Sequence, residues 1–271
     1  MSRYGMIAGN GRFPLLALET ARAAGDEVVV VAIKEEASQE VEQLATRCYW
    51  ISLGQLSRLI EILKEEGITE VMMAGQVKHA KIFSSIRPDW KLVKLLSVLK
   101  QKNTDSLIGG VAQILADEGI RLADSTLLLK PLLAGVGVLT KRKPSSEEER
   151  DITYGGRIAN TLADMDVGQS VAICDGACVA VEAMEGTDAM LERAASLVNG
   201  KPLRLVKASR RRGHLLFDVP VVGPGTIDAM QKAGATALAV DAGRTLLLDR
   251  KAMLERANEC GIAMVGRAAE P

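Results

Sequence analysis

Apolar residues along this chain alternate between two patterns: short unbroken runs, and longer stretches in which they recur every three or four positions. Tyr4 to Ala8 is the first short run and leads into the turn Gly9-Asn10-Gly11. Pro14 to Ala24 has helical spacing, with proline tolerated in the first turn and Gly25 as the stop. Val28 to Ile33 is a continuous run rich in β-branched residues, the pattern of a strand buried on both faces. Tyr49 to Ile51 is a weaker strand, Leu56 to Glu66 a helix closed by Gly67, and Val71 to Ala74 a strand ending at Gly75. Strand and helix alternating across short turns predict a Rossmann-like parallel sheet. Two further helices are expected at Trp90 to Lys100 and Asp105 to Glu118, the second with Thr104 or Asp105 as N-cap.

Between Lys141 and Arg150 the composition turns abruptly to charge, proline and serine, as in an exposed linker or a helix start. This places an N-terminal Rossmann-like domain at 1–140, a linker at 141–150 and a C-terminal mixed α/β domain at 151–271. The second half is expected to hold a helix from Tyr154 to Ala163 and a β-hairpin, Val171–Cys174 with Cys178–Glu182, across Asp175-Gly176. A helix at Thr187 to Val198, a strand at Arg204 to Val206 and an apolar strand at Leu215 to Val222 follow. The rest reads as a helix from Thr226, a strand at Ala237 to Val240 with Thr245 to Leu248 as its hairpin partner, and a helix at Arg250 to Cys260. No internal repeat is visible. The fold class expected is therefore two-domain α/β.

Composition narrows the function more than the fold. The chain has 271 residues, 48% of them apolar, which is ample for packed cores and speaks against disorder. Lys+Arg and Asp+Glu both total 34, so no basic excess argues for nucleic acid, and 3% aromatics make a poor base-stacking platform. Cys48, Cys174, Cys178 and Cys260 are too few and scattered for a disulfide framework. Cys174 and Cys178 lack C-x-x-C spacing and read as buried thiols, and two histidines, His79 and His214, exclude a His-rich metal centre. The first residues carry no signal-peptide core, and the longest apolar stretch, Leu127 to Leu139, is interrupted and too short for a bilayer span. A soluble, cytoplasmic protein is expected.

Three constellations could carry chemistry. Gly9-Asn10-Gly11 joins a first strand to a first helix and can present backbone N–H groups to an anion, although Pro14 stands where the dinucleotide fingerprint needs a third glycine. Around Glu182, Glu185, Thr187 and Asp188, a strand ends in acids just before a helix; Thr187 and Asp188 suit a helix start. Crowded carboxylates there would raise one another's pKa or hold a divalent cation. Asp218 stands alone in the run Leu215–Val222, directly before Gly223-Pro224-Gly225-Thr226 and a second helix start, and after the cationic run Lys207 to Arg212. Burying an unpaired carboxylate is costly, so Asp218 is expected to meet a cation, a metal or several donors. Asp249 reads as a cap and Asp241 to Arg244 as a hairpin turn. No Ser-His-Asp triad, P-loop lysine motif or zinc cluster is present.

The stretches Gly5 to Gly11 through Pro14, Ala74-Gly75-Gln76-Val77, Asp105-Ser106-Leu107, Val181-Glu182-Ala183 with Glu185 to Leu191, and Asp218 to Gly223 with Thr226-Ile227 resemble LpxI-type UDP-2,3-diacylglucosamine pyrophosphatases of the lipid A pathway. The resemblance spans nearly the whole chain. It implies an Mg²⁺-dependent hydrolase with two α/β domains and a cleft between them, cleaving UDP-2,3-diacylglucosamine to UMP and 2,3-diacylglucosamine 1-phosphate (lipid X). It also implies a homodimer, in peripheral contact with the inner membrane. The essential aspartate of the family falls on Asp218 through the Asp-x-Pro-x-x-Gly match. On this basis Asp218 and Glu182 are expected at the metal. Gly9, Asn10, Gly11, Gly75, Gln76, Asp105, Thr187, Asp188, Lys207, Gly223 and Thr226 are expected at the substrate. The helix from Trp90, apolar on one side and lysine-rich on the other, is a candidate for the membrane surface or the acyl chains. Two alternatives remain at this point: a nucleotide-dependent oxidoreductase using the Gly9–Gly11 turn with NAD(P), and a non-catalytic nucleotide-sugar-binding regulator that needs no Mg²⁺.

Overall fold

The computed structural model describes residues 2–75, 88–99, 104–210 and 219–268. The chain forms two compact units, Met1–Leu129 and Lys130–Pro271. In the first, β1 (Arg3–Ala8), β2 (Glu27–Ile33), β3 (Arg47–Ile51), β4 (Glu70–Ala74) and β5 (Arg121–Leu122) form a wholly parallel sheet in the order β3-β2-β1-β4-β5. Val29 to Ala32 of β2 are fully buried, as their unbroken apolar run requires. The helices are α1 (Phe13–Ala24), α2 (Val41–Leu44), α3 (Leu56–Glu65), α4 (Trp90–Val98) and α5 (Thr104–Asp117). Gly25, at φ 77°, stops α1 and donates its N–H to Ala21 and Arg22. Asp89 caps α4 through Leu92 N at 3.0 Å and ties it to α3 through Ser57 N at 2.6 Å. The chain order leaves β1 in both directions, so the sheet has a topological switch between β1 and β4.

The second unit has a mixed six-stranded sheet in the order β6-β13-β11-β9-β7-β8. Its strands are β6 (Gly137–Val138), β7 (Ser170–Cys174), β8 (Ala177–Val181), β9 (Leu203–Lys207), β11 (Ala235–Asp241) and β13 (Ala263–Arg267). β9, β11 and β13 are mutually parallel; β6, β7 and β8 each run antiparallel to a neighbour. A separate pair joins β10 (Val221–Val222) to β12 (Leu246–Leu247). The helices are α6 (Ser146–Asp164), α7 (Thr187–Leu197), α8 (Pro224–Lys232) and α9 (Arg250–Glu259). One sheet face packs Leu205 and Leu238 against Met190, Ile227 and Met253 of α7, α8 and α9. The other packs Ile173, Val206 and Ala237 against Ile152 and Ala159 of α6.

Several expectations change here. Leu246–Leu247 was expected to form a hairpin with β11; it pairs in parallel with β10 instead. β13 was not expected, although its apolar run Ile262 to Val265 is as long as the one that signalled β4. Asp249 occupies the N-cap position of α9 at φ 45° but makes no capping hydrogen bond. The segment expected as the linker lies inside the second unit, and the division falls ahead of it, between Leu129 and Lys130. Its charges open α6: Ser145 and Glu148 form a reciprocal capping box, and Glu147 to Glu149 favour the positive helix end. The Asp175-Gly176 turn is as expected, with both residues at positive φ, 48° and 76°.

Glu148 is only 4% exposed. It receives both guanidinium nitrogens of Arg142 at 2.8 and 2.9 Å, the Thr236 hydroxyl at 2.6 Å and Ser145 N at 2.8 Å. Burial by itself would raise its pKa. Arg142, Thr236 and Ser145 N–H outweigh that and hold the carboxyl at about 2. A carboxylate with a depressed folded pKa stabilises the protein above its unfolded pKa of about 4.3, and this stability is lost as pH falls toward the folded value. Glu148→Gln should therefore lower the unfolding free energy at pH 7 by about 2 kcal/mol, less than for a fully buried pair because Arg142 is 38% exposed. In urea melts the gap from wild type should close between pH 5 and pH 2. A gap that persisted at pH 2 would rule out this role for the carboxylate.

Candidate active site

In the first unit the structure brings four of the expected residues together at the carboxyl edge. Gly9, Asn10 and Gly11 follow β1 and Gly75 follows β4, its neighbour across the topological switch. Gly9 N donates to Ala74 O at 2.8 Å. Gly75 lies at φ +86°, and a Cβ there would stand 2.4 Å from Asn10 O, so only glycine permits the two turns to approach this closely. No side chain caps the first turn of α1, and no acid stands in it. Such a start at a switch point is suited to an anionic ligand. Gln76 lies outside the described residues. Asp105 is in the first turn of α5, and its side chain is likewise outside the description.

In the second unit, parallel pairing sets Lys207, Asp241 and Arg267, the last residues of β9, β11 and β13, along one edge. Ser170 opens β7 opposite Lys207. On the α7 face the Lys207 ammonium donates to Thr187 Oγ1 at 2.9 Å and Ser170 Oγ at 3.2 Å, and lies 3.8 Å from Glu182 Oε2. Thr187 Oγ1 in turn donates to Glu182 Oε1 at 2.9 Å. Glu182 and Thr187, grouped from the sequence, thus meet Lys207, which the sequence set apart with Asp218 and the cationic run Lys207 to Arg212. Lys207 and Glu182 are both buried, 8% and 9% exposed. Asp188 is exposed in the first turn of α7. Glu185 points to Arg193 at 2.7 Å and Ala183 N at 3.0 Å; its own backbone, Arg193 and the Ala183 N–H keep its carboxyl below the usual range.

Two further expected residues stand at the start of α8. Gly223 is the N-cap, and its N–H donates to the Thr226 hydroxyl at 3.4 Å, so Thr226 serves the helix start. Arg210 forms an ion pair with Asp166. Asp218, Arg211, Arg212 and His214 lie outside the described residues, as does His79. Cys174 and Cys178 are free thiols on the β7–β8 hairpin, and burial pushes both upward from the ordinary thiol pKa. Sequence reasoning missed a second polar cluster on the α6 face, built on Asp241 and Arg267. They lie 26 residues apart, and only their strand-end positions could have signalled them.

The fit of a divalent cation can be tested on these carboxylates. Among the described residues no three His, Cys, Asp or Glu side chains converge. Glu182 already faces Lys207 and Thr187, Glu185 faces Arg193, and Asp241 faces Arg267. Lys207 and Arg193 offset part of the crowding that suggested a metal, while Glu182 Oε2 is buried without a hydrogen-bond partner among the described residues and is the oxygen that remains to meet a cation; these residues alone do not form a set of three ligands.

The LpxI N-terminal domain model matches residues 3–132 and the LpxI C-terminal domain model residues 135–265. The chain belongs to the LpxI family. The UDP-2,3-diacylglucosamine pyrophosphatase LpxI of Caulobacter vibrioides is 30% identical over 276 residues, covering 98% of both chains. Among solved structures, the biotin carboxylase domain of Hydrogenobacter thermophilus 2-oxoglutarate carboxylase matches with TM-score 0.29 and 10% identity, over 64% of this chain and 35% of that one. The UDP-glucose-4-epimerase of Stenotrophomonas maltophila matches with TM-score 0.29 and 14% identity, over 46% of this chain and 38% of that one. The chain thus spans little more than a third of those structures, and at such scores they carry no argument. The two LpxI domain models meet between residues 132 and 135, close to the division between the two units.

Gly75→Ala tests the closeness of the two turns in this LpxI-family chain. The added methyl must push Asn10 away and adopt a left-handed backbone, a combined cost of about 2 kcal/mol. Thermal unfolding should show that loss, and turnover assays a KM raised more than kcat is lowered. Unchanged stability and kinetics would remove Gly75 from the site.

Proposed function

We propose that this chain hydrolyses the pyrophosphate bond of UDP-2,3-diacylglucosamine to UMP and 2,3-diacylglucosamine 1-phosphate in lipid A biosynthesis. One observation carries the reading: a UDP-2,3-diacylglucosamine pyrophosphatase aligns over 98% of the chain at 30% identity. The oxidoreductase and regulator alternatives gain no comparable support. Chemically, attack on a pyrophosphate diester already bearing two negative charges builds further charge on the leaving phosphate, and a single well-placed donor is worth roughly 10²–10³ in rate. We assign Asp218 to orienting the attacking water or binding a cation. The open start of α1 with the Gly9–Gly11 and Gly75 turns is assigned to an anionic part of the substrate. Thr187, Lys207 and Glu182 form the braced strand end of the second unit, so a direct substrate contact by Lys207 would require it to exchange one of its protein partners.

Mg²⁺ dependence is proposed from the family resemblance and the charge of the substrate. Mg²⁺ takes one or two carboxylates together with substrate phosphates. Asp218 and Glu182 would hold the ion together with the substrate phosphates, Glu182 through its Oε2, which has no hydrogen-bond partner among the described residues. The reaction is placed in the cytoplasm, in a homodimer. No described helix is long and apolar enough to cross a membrane. The substrate's acyl chains are assigned to contact at the inner-membrane surface, and α4 is the face proposed for that contact. Trp90, Val93 and Val98 are 66%, 50% and 69% exposed there, with Lys94 among them.

Asp218→Ala should lower kcat for UMP release by at least about 10³, with the circular dichroism spectrum unchanged. EDTA should halt the wild type and added Mg²⁺ restore it. Appreciable hydrolysis by Asp218→Ala would remove the aspartate from the chemistry; full activity in EDTA would remove the metal. Trp90→Ala combined with Lys94→Glu should reduce cosedimentation with anionic vesicles severalfold, and unchanged cosedimentation would discard α4 as the contact.

A further inference from the structure

Thr187 suits a helix start by sequence, but its hydroxyl does not cap the helix. Gly186 holds the N-cap position of α7, and no side chain makes a capping hydrogen bond there. The hydroxyl belongs instead to a chain of polar groups where three strand ends meet α7: Ser170 opens β7, Glu182 follows β8 and Lys207 ends β9. The Lys207 ammonium donates to Thr187 Oγ1 at 2.9 Å and to Ser170 Oγ at 3.2 Å, and the two hydroxyl oxygens lie 3.3 Å apart. An ammonium has donors only, so both hydroxyls accept from it and send their own protons elsewhere. The Thr187 proton goes to Glu182 Oε1 at 2.9 Å. The direction of donation thus runs from Lys207 through Thr187 to one oxygen of Glu182.

Glu182 is anchored by its backbone as well. Its N–H donates to Ser170 O at 2.8 Å, and Gly168 packs so closely on its carbonyl that a Cβ there would stand 2.0 Å from Glu182 O. The residue is 9% exposed. With Oε1 taken by Thr187, Oε2 is buried without a hydrogen-bond partner among the described residues, and the Lys207 ammonium stands 3.8 Å from it. A buried carboxylate oxygen that accepts no hydrogen bond is costly and uncommon in a folded chain, and a ligand that uses it supplies the reason.

We propose that Thr187 is a positioning residue for the divalent cation: its hydroxyl, directed by Lys207 and Ser170, holds Glu182 Oε1 and so presents Oε2 as the oxygen that meets the ion. The inference rests on the assignment of Glu182 to Mg²⁺ in the proposed function. Partners of this kind fix the orientation of a ligating carboxylate and raise the affinity of its site. The ammonium near Oε2 opposes a cation, so the ion also needs phosphate oxygens, as Mg²⁺ ordinarily does.

Mn²⁺ is the probe for the test. It is titrated into the full chain with UMP present, whose phosphate stands in for a substrate phosphate, and bound Mn²⁺ is read by electron paramagnetic resonance against UMP alone. Wild type should bind Mn²⁺ above that background. Thr187→Val, which keeps the side-chain shape and removes the hydroxyl, should bind roughly 10- to 100-fold more weakly, while Thr187→Ser should stay within about threefold of wild type. Glu185→Gln removes a carboxylate already paired with Arg193 and should leave the affinity unchanged. Thermal melts establish that each variant is folded. Wild-type affinity in a folded Thr187→Val, or an equal loss in Thr187→Val and Thr187→Ser, overturns the proposal. If Thr187→Val does not fold, Ser170→Ala takes its place: it should weaken Mn²⁺ binding severalfold, and wild-type affinity there overturns the proposal. Glu182→Gln separates the two failures. Wild-type affinity in Glu182→Gln, or no Mn²⁺ binding by wild type, overturns the assignment of Glu182 and the proposal with it. Weak binding by Glu182→Gln beside wild-type binding by Thr187→Val overturns the proposal alone.

Discussion

Parallel pairing of β9, β11 and β13 sends three strand ends to one edge of the second sheet, and all three end on charged residues. Lys207 and Asp241 are both under one-tenth exposed, where an unpaired charge would cost several kcal/mol. Much else at this edge follows from that cost. Because Lys207 and Asp241 stand one register step apart, they serve opposite faces. Lys207 draws in Ser170, Thr187 and Glu182, which joins the start of α7 to the β7–β8 hairpin. Asp241 draws in Arg267 and the Ser209 N–H, which joins β13 and α6 to the exit of β9. The first unit solves a different problem at its own edge: there the approach of two turns depends on glycine rather than on charge.

What was legible in the sequence is local. Val28 to Ile33 could only be a buried strand, Gly9 and Gly11 could only be a turn, and Asp175-Gly176 supplied the positive φ angles of a tight hairpin. The crowding of Glu182, Glu185, Thr187 and Asp188 around one helix start was also recoverable, but Lys207, read with the cationic run that follows it, was not placed among them. Other features depended on partners distant in sequence. β12 is two residues long, and nothing in those residues favours β10 over β11 as its partner. The run from Lys141 to Arg150 has a composition that linkers and helix first turns share; the deciding contacts, Arg142 and Thr236 on Glu148, come from 6 and 88 residues away. Asp241 looked like part of a turn because its guanidinium arrives from β13, 26 residues further along the chain.

The carboxylates show how a sound physical premise can admit more solutions than it names. Crowded acids do require compensation, and the sequence suggested either a raised pKa or a divalent cation. The structure supplies a third solution from within the chain. Lys207 faces Glu182, and Arg193 holds Glu185 below its ordinary range. This matters for the chemistry, because a cation already matched to a buried carboxylate adds little net potential at the edge where it sits.

Positive potential for a pyrophosphate must then come from groups whose charge is not cancelled nearby, and the three helix starts first considered differ in this respect. α7 opens with Asp188 in its first turn, which offsets the helix dipole. α8 carries no acid there, but Pro224 contributes no N–H, and the Thr226 hydroxyl is occupied by Gly223 N. α1 also loses one donor to Pro14, yet it has neither an acid nor a capping side chain, and it opens from the Gly9–Gly11 turn beside Gly75. By charge and by access of backbone to a ligand, α1 is the most favourable of the three for an anionic group.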